Sequence, residues 1–180
     1  MINRDAAFCR IPLAFVMGDI YNMDISFKTG EGRFNYRVCG IIVHEGKLLV
    51  MKDDGIGHYY LPGGRVQLHE TTDAAIKREM REELLIEAEI ERPLWLNQSF
   101  FTLDGTTERF HEVCMYYLMD ASKTDLLSRG EKFSREEGGH IHTFEWMPFD
   151  QLRVAYIYPL FIKEQIFNLP ETLTMMTEFE

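Results

Sequence analysis

Glu79, Glu82 and Glu83 crowd one short stretch of the chain, with Arg78 directly before them and Glu70 upstream. At about 100° per residue along a helix, the three bunched glutamates fall within roughly 100° of arc, the i, i+3 and i+4 positions of one face. Three like charges that close repel one another. A hard divalent cation relieves the repulsion, and Mg²⁺ prefers oxygen ligands while keeping waters that substrate phosphates can replace. The competing reading is a solvated acidic helix face with no ligand.

The surrounding residues support a helix over 71–84. Thr71, Thr72 and Asp73 are capping residues ahead of a run of good helix formers that no Gly or Pro interrupts. Ile76, Met80 and Leu84 recur every four residues and form a stripe for a core. A Tyr-Leu-Pro-Gly-Gly turn, residues 60 to 64, precedes it. The full spacing decides between the two readings. Gly64, five residues, Glu70, seven residues, Arg78-Glu79, apolar Met80, one residue, Glu82-Glu83, then apolar Ile86 resembles the Nudix box, G-x5-E-x7-R-E-U-x-E-E-x-G-U with U apolar. Eight of the nine specified positions match, and the ninth is Leu85 where the pattern has Gly. That Gly would supply a left-handed residue to end the helix. Leu disfavours the conformation by roughly 1 kcal/mol or more. The helix is therefore expected to run on slightly or to leave through a different turn.

The resemblance implies a Nudix-type α/β/α sandwich with a mixed sheet, and an enzyme that uses Mg²⁺ or Mn²⁺ to hydrolyse a nucleoside diphosphate linked to another moiety. It makes Glu79, Glu82 and Glu83 ligands of the metal or of its waters, with Glu79 one candidate for general base. Arg78 would orient a glutamate rather than touch substrate, and Glu70 would brace the helix start. Glu112, a lone carboxylate in the apolar strand after the box, stands where some members place a further ligand or base. Gly63 and Gly64 help shape the phosphate site. Arg37 is a candidate phosphate contact and Tyr60 a candidate base contact. Tyr59, Phe101 and Phe110 carry the same possibility against the plainer reading of core aromatics. His111, and the His140–His142 pair, read as structural and surface residues.

Composition limits the alternatives. The chain has 180 residues, 46% apolar and 27% charged, with a net charge of −10. That is enough for one globular domain with a real core. So acidic a chain lacks the basic footprint of a general nucleic-acid binder. A polyphosphate substrate must then be drawn in locally, by bound metal and a few basic residues. Cys9, Cys39 and Cys114 are widely spaced without a CxxC. They read as reduced thiols of a cytoplasmic protein. No apolar run approaches the ~20 residues of a membrane span. Ile11 to Met17 is short, and no small-x-small cleavage pattern follows it, which argues against export.

Residues 1–22 show no period and read as a leader of unclear structure, and 23–180 as a single domain, with a homodimer one option. Strands are expected at 24–28, 34–43, 47–52, 58–61, 86–90, 93–103, 109–119 and 141–147, from β-favouring residues between turn signals. The polar stretch 120–139 reads as a loop with a short helix near 124–128. Short helices are expected at 149–153 and 158–167. The leading functional reading is a hydrolase of the ADP-ribose or sugar-nucleotide type. A nucleoside triphosphate pyrophosphohydrolase and a non-catalytic nucleotide-binding domain are the alternatives.

Overall fold

The structure is a computed structural model and describes residues 23–103, 105–137 and 139–180. The leader and Cys9 lie outside the described residues. In chain order the elements are β1 (Ser26–Lys28), β2 (Arg33–Ile41), β3 (Val43–His44), β4 (Lys47–Asp53), α1 (Thr72–Leu84), β5 (Glu89–Thr102), β6 (Arg109–Asp120), β7 (Lys132–Glu137), β8 (His140–Pro148), α2 (Phe149–Leu152), α3 (Ile162–Gln165) and β9 (Thr174–Phe179).

Two sheets form the middle of an α/β/α sandwich. One is mixed, in the order β1-β2-β6-β5-β9, with β2 parallel to β6 and β9 parallel to β5. The other is antiparallel, β3-β4-β8-β7. Alternation along the strands divides the core. Val38, Leu49, Met51, Tyr117, Phe144 and Trp146 pack with Ile76, Met80 and Leu84 of α1. Cys39, Leu48, Val50, Cys114, Tyr116 and Leu118 pack on the other side with Leu152 of α2 and Ile162 of α3. The three-residue helix stripe read from the sequence is fully buried.

Residues 58–66 hold the sheets together. Expected as a strand over 58–61, this segment makes only isolated bridges, because it must serve both neighbours. Met51 and Tyr60 exchange backbone bonds of 2.8 and 2.9 Å on the β4 side. On the β2 side, Val38 N–H donates to the Gly64 carbonyl at 2.9 Å and Gly40 N–H to the Pro62 carbonyl at 2.8 Å. The Pro-Gly-Gly turn thus lies in the seam between the sheets.

Four other expectations are corrected. Residues 132–137 form a strand rather than loop, and 174–179 form another at the tail. Both are sheet edges, where polar residues are tolerated and the apolar alternation fades. The segments 86–90 and 93–103 make one strand, β5, whose register shifts on either side of Pro93, a residue with no N–H for the ladder. The helix expected over 158–167 is the single turn α3. Phe161 N–H there donates to Glu178 Oε1 at 2.9 Å, out of the helix.

Leu85 also departs from expectation. It adopts the left-handed conformation after all, with φ 54° and ψ 41°. Its N–H donates to the Arg81 carbonyl at 3.1 Å, and Ile86 N–H to that of Met80 at 3.3 Å. Arg129 Nη1 caps the Leu84 carbonyl at 2.6 Å. Ile86 is buried immediately beyond. These contacts fix the exit of the chain, so the backbone strain is accepted while the Leu85 side chain stands 65% exposed. Leu85→Gly removes strain and almost no packing. It should raise unfolding stability by about 1 kcal/mol, measured by denaturant titration. An unchanged or lowered midpoint would contradict this account of the helix end.

Candidate active site

Arg78 is the hub of the site. Its Nε donates to Glu70 Oε1 at 2.9 Å and one Nη2 hydrogen to Glu70 Oε2 at 3.0 Å, a bidentate pair. Nη1 donates to Glu79 Oε1 at 2.6 Å and to Glu82 Oε2 at 2.8 Å. The remaining Nη2 hydrogen goes to the Arg65 carbonyl at 2.9 Å. All five N–H donors of the guanidinium are used. Helical spacing explains the set: Glu79 adjoins Arg78 and Glu82 lies one turn on. Glu70 comes from the loop before the helix, and its Oε2 also accepts Gln67 N–H at 3.0 Å. Thr71 caps α1 by accepting Ala74 N–H at 3.2 Å.

The two glycines admit the carboxylates. Glu79 lies against the Cα of Gly64: a Cβ added there would stand 2.3 Å from Glu79 Oε1. Gly63 N–H donates to Glu83 Oε2 at 2.8 Å. Gly63 itself has φ 141°, and an added Cβ would meet the Val38 carbonyl oxygen at 2.2 Å. Its own carbonyl accepts Arg37 Nη2 at 3.2 Å. Both backbone groups of Gly63 are thus engaged within the protein.

Arg37 and Glu112, far apart in sequence, come together because β2 and β6 are neighbours. Asn35 pairs with Glu112 and Arg37 with Cys114 across the ladder. Asn35 Nδ2 donates to Glu112 Oε2 at 3.3 Å, and Arg37 Nε lies 3.9 Å from the same oxygen. Sequence reading missed Asn35. Its signal was there, since Asn35, Arg37 and Cys39 put polar groups on one face of an otherwise apolar strand. Cys39 and Cys114 are buried free thiols with sulfurs 3.6 Å apart.

The electrostatics follow from burial. Burial, then the neighbouring Glu79, pushes the Glu83 carboxyl well above its ordinary range, against the Gly63 N–H and Arg37. Burial raises Glu79 as well, and its contact with Arg78 only partly opposes this. At Glu70 the order reverses: burial raises it, but Arg78 and the Gln67 N–H together hold it below the usual range. Arg37 stays charged, since Glu112 and its other neighbours outweigh burial. Buried Glu79 and partly buried Glu83, one turn apart on α1, both resist ionisation, which fits a hard divalent cation that would take the place of the protons they would otherwise hold. In this conformation the box carboxylates do not converge: Glu79 and Glu82 turn to Arg78, and Glu83 to Gly63.

Tyr60 lies on the other side of the turn. Burial and a bond to Asp53 raise its phenol, and Glu83 adds to this. His58 stands edge-on to Tyr60, Tyr156 and Tyr158, at centroid distances of 6.4, 5.5 and 5.0 Å. Tyr156 and Tyr158 gave no sequence signal, since only the packing of the 153–158 turn brings them here. Tyr59 bonds Glu145 at 3.2 Å and lies under Lys52. Phe101 and Phe110 stack on each other at 5.0 Å, half-exposed at the far end of the mixed sheet. His142 pairs with Asp53 at 2.5 Å, and His140 is exposed.

Comparison with known proteins decides the family. The model of the NUDIX domain matches residues 34–165. The chain belongs to the Nudix family. Nudix hydrolases act on pyrophosphate bonds, take small nucleotide substrates and generally use divalent metals. No curated protein matches the chain. Among solved structures, a MutT protein of Bacillus halodurans is 14% identical, with a TM-score of 0.54 over 80% of this chain and 89% of that one. An ADP-ribose pyrophosphatase of Streptococcus suis is 16% identical, with a TM-score of 0.50 over 81% and 98%. A UDP-X diphosphatase is 21% identical, with a TM-score of 0.50 over 74% of this chain. The chain spans only 59% of that protein's length. At these identities the likeness is one of fold. Among the described residues no helix is long and apolar enough to cross a membrane.

Arg78→Ala leaves three carboxylates without their shared donor. Because Arg78 and Glu70 are largely buried, the substitution should cost about 3 kcal/mol in denaturant unfolding. A loss under about 0.5 kcal/mol, the scale of a surface pair, would contradict the hub. The glycines should separate under the same measurement. Gly63→Ala collides with backbone and should cost about 3 kcal/mol, whereas Gly64→Ala meets a side chain that can swing away and should cost about 1 kcal/mol. Equal losses would show that the seam yields at both positions.

Proposed function

We propose that the chain is a Mg²⁺-dependent pyrophosphohydrolase, with Mn²⁺ as an alternative metal, that cleaves the diphosphate of a nucleoside diphosphate linked to a second moiety. The ADP-ribose or sugar-nucleotide type is the favoured substrate class. The observation that carries the reading is the charge balance around Arg78. Glu70, Glu79 and Glu82 share one guanidinium, which leaves an excess of two negative charges there, and Glu83 has only the Gly63 N–H and an Arg37 that Glu112 also faces. One divalent cation matches that excess, and a purely structural helix has no need of it.

Each residue then has a role set by its contacts. Glu79, Glu82 and Glu83 hold the metal or its waters, and Glu112 is a further ligand or base beside Arg37. The cation, when bound, supplies charge neutralisation to phosphoryl oxygens and acidifies water. Phosphoryl transfer spreads negative charge over those oxygens, so positioning and fixed positive groups do most of the work. Arg78 orients Glu79 and Glu82, and Glu70 fixes Arg78. Arg37, held by Gly63 and Glu112, offers a permanent positive charge for a phosphate. Glu79 is one candidate to take the proton from water, since burial makes its carboxylate more basic than usual. Gly63 and Gly64 contribute by letting the carboxylates approach the turn. Tyr60, with His58, Tyr156 and Tyr158, offers an aromatic wall for a base on one side of the turn. Asn35, Arg37 and Glu112 offer polar partners on the other. A diphosphate flanked by two different groups uses both sides, and this favours the two-moiety substrate. The Streptococcus suis protein of the same fold is named an ADP-ribose pyrophosphatase, in line with that class.

The test is product release from ADP-ribose, sugar nucleotides, dinucleoside polyphosphates and nucleoside triphosphates, with and without Mg²⁺. ADP-ribose should give AMP and ribose 5-phosphate only with metal present. Glu83→Gln should lower kcat/KM by about 100-fold or more. Release of pyrophosphate from triphosphates, with no turnover of ADP-ribose, would replace this reading with the triphosphate one. Binding without turnover of any substrate would replace it with a nucleotide-binding domain.

A further inference from the structure

The mixed sheet carries an aromatic row that the site above does not use. Phe27, Phe34, His111, Phe100 and Phe179 stand opposite one another in register, one from each of its five strands. Neighbouring ring centroids are 5.2, 5.5, 4.4 and 5.0 Å apart, so the row is continuous from edge to edge. Side chains of paired residues share a sheet face, and alternate residues along a strand repeat it. The row therefore lies on the face of Tyr36 and Val38, which is the α1 face. Arg37 and Glu112 belong to the opposite face.

The helix does not reach this row. Its first turn is tied to Tyr117, whose hydroxyl lies 2.7 Å from Thr72 Oγ1 and 2.6 Å from Asp73 Oδ1. His111 is six residues back along β6, about 20 Å at the rise of a strand. Phe27 and Phe179 at the two edges are 56% and 79% exposed. A cleft of about 560 Å³ opens at the row, lined by Phe27, Phe34, Phe100 and His111, with Arg33 and Arg109 as the cations of its rim beside Glu31 and Glu180. That volume is in the range of small-ligand sites.

The rim carries charges of both signs, and Arg109 is the one that bears on the ligand. Arg33 is matched by Glu108 at 3.4 Å. Arg109 donates from Nε to the Glu31 carbonyl at 3.1 Å and has no carboxylate partner among the described residues. On a chain of net charge −10, an arginine held by backbone at the mouth of an aromatic cleft is placed for an anion. Aromatic rings stack on any nucleobase with little regard to its identity. An aromatic row and a fixed guanidinium together describe a ligand with a flat ring at one end and a phosphate at the other.

We propose that this cleft is a second nucleotide site, which takes the base of a mononucleotide against the aromatic row and its phosphate on Arg109. Its aromatic row lies on the other face of the sheet from Arg37 and Glu112, and the site needs no metal. Occupancy there is separate from turnover.

The His111 ring gives a direct readout. Its proton resonances, identified by their absence from the spectrum of His111→Gln, are followed as AMP is added to the full chain in EDTA. They should move saturably, with a ring-current shift from the stacked base. Ribose 5-phosphate, which lacks the base, should bind about tenfold or more weakly. Arg109→Glu, on an exposed side chain, should weaken AMP by a similar factor. Phe34→Leu, which keeps the bulk and loses the ring face, should weaken AMP but not ribose 5-phosphate. His111 resonances unmoved at millimolar AMP would overturn the proposal. So would equal affinity for the two ligands, or AMP binding unaltered in Arg109→Glu.

Discussion

Every N–H of the Arg78 guanidinium has an acceptor, and the rest of the site depends on that. The residue ties the loop carboxylate Glu70 to two carboxylates of α1 and to the backbone after the glycine turn. Lysine could not replace it, because three rotating donors on a point charge do not reproduce a planar fork. The hub brings together three carboxylates that would separate if left to themselves. It also leaves them short of positive charge, and this is the property a metal-dependent site requires. Structural stability and capacity for chemistry meet in one side chain.

The second constraint is the seam between the two sheets. Residues 58–66 must pair with β4 on one side and β2 on the other while Glu79 and Glu83 come up against them. A side chain at 64 would fill the space that Glu79 occupies, and one at 63 would meet the backbone of Val38 and Cys39. The glycines are thus required by what packs on them, with Gly63 confined by backbone and Gly64 by a carboxylate. The cost is a turn without side chains of its own, which depends on Arg37, Glu83 and the flanking strands to hold its shape.

Much of this was legible in the chain. The box spacing located α1, its cap and its buried stripe, because helix periodicity and hydrogen-bond capping act locally. The roles suggested for Arg78 and Glu70 have counterparts in their contacts for the same reason. What escaped was non-local or weakly patterned. The strands β7 and β9 are edges with polar sequences, and their pairing partners, not their composition, make them strands. Asn35, Tyr156 and Tyr158 reach the site through strand pairing and a turn that no spacing rule announces. Leu85 shows local preference losing to context. The burial of Ile86 and the Arg129 cap fix the exit of the helix, and Leu takes the conformation that a glycine would have taken freely.

The chemistry proposed for this chain depends on a divalent-cation site on α1, built around Arg78. Titration with Mn²⁺, followed by the loss of the free-ion paramagnetic resonance signal, tests it without reference to any substrate. Binding to the unaltered chain, reversed by excess Mg²⁺ and abolished in both Glu79→Gln and Glu83→Gln, is the predicted result. Mn²⁺ binding that persists unchanged in both variants, or no binding by the unaltered chain, would contradict it and leave the acidic face of α1 a structural feature only.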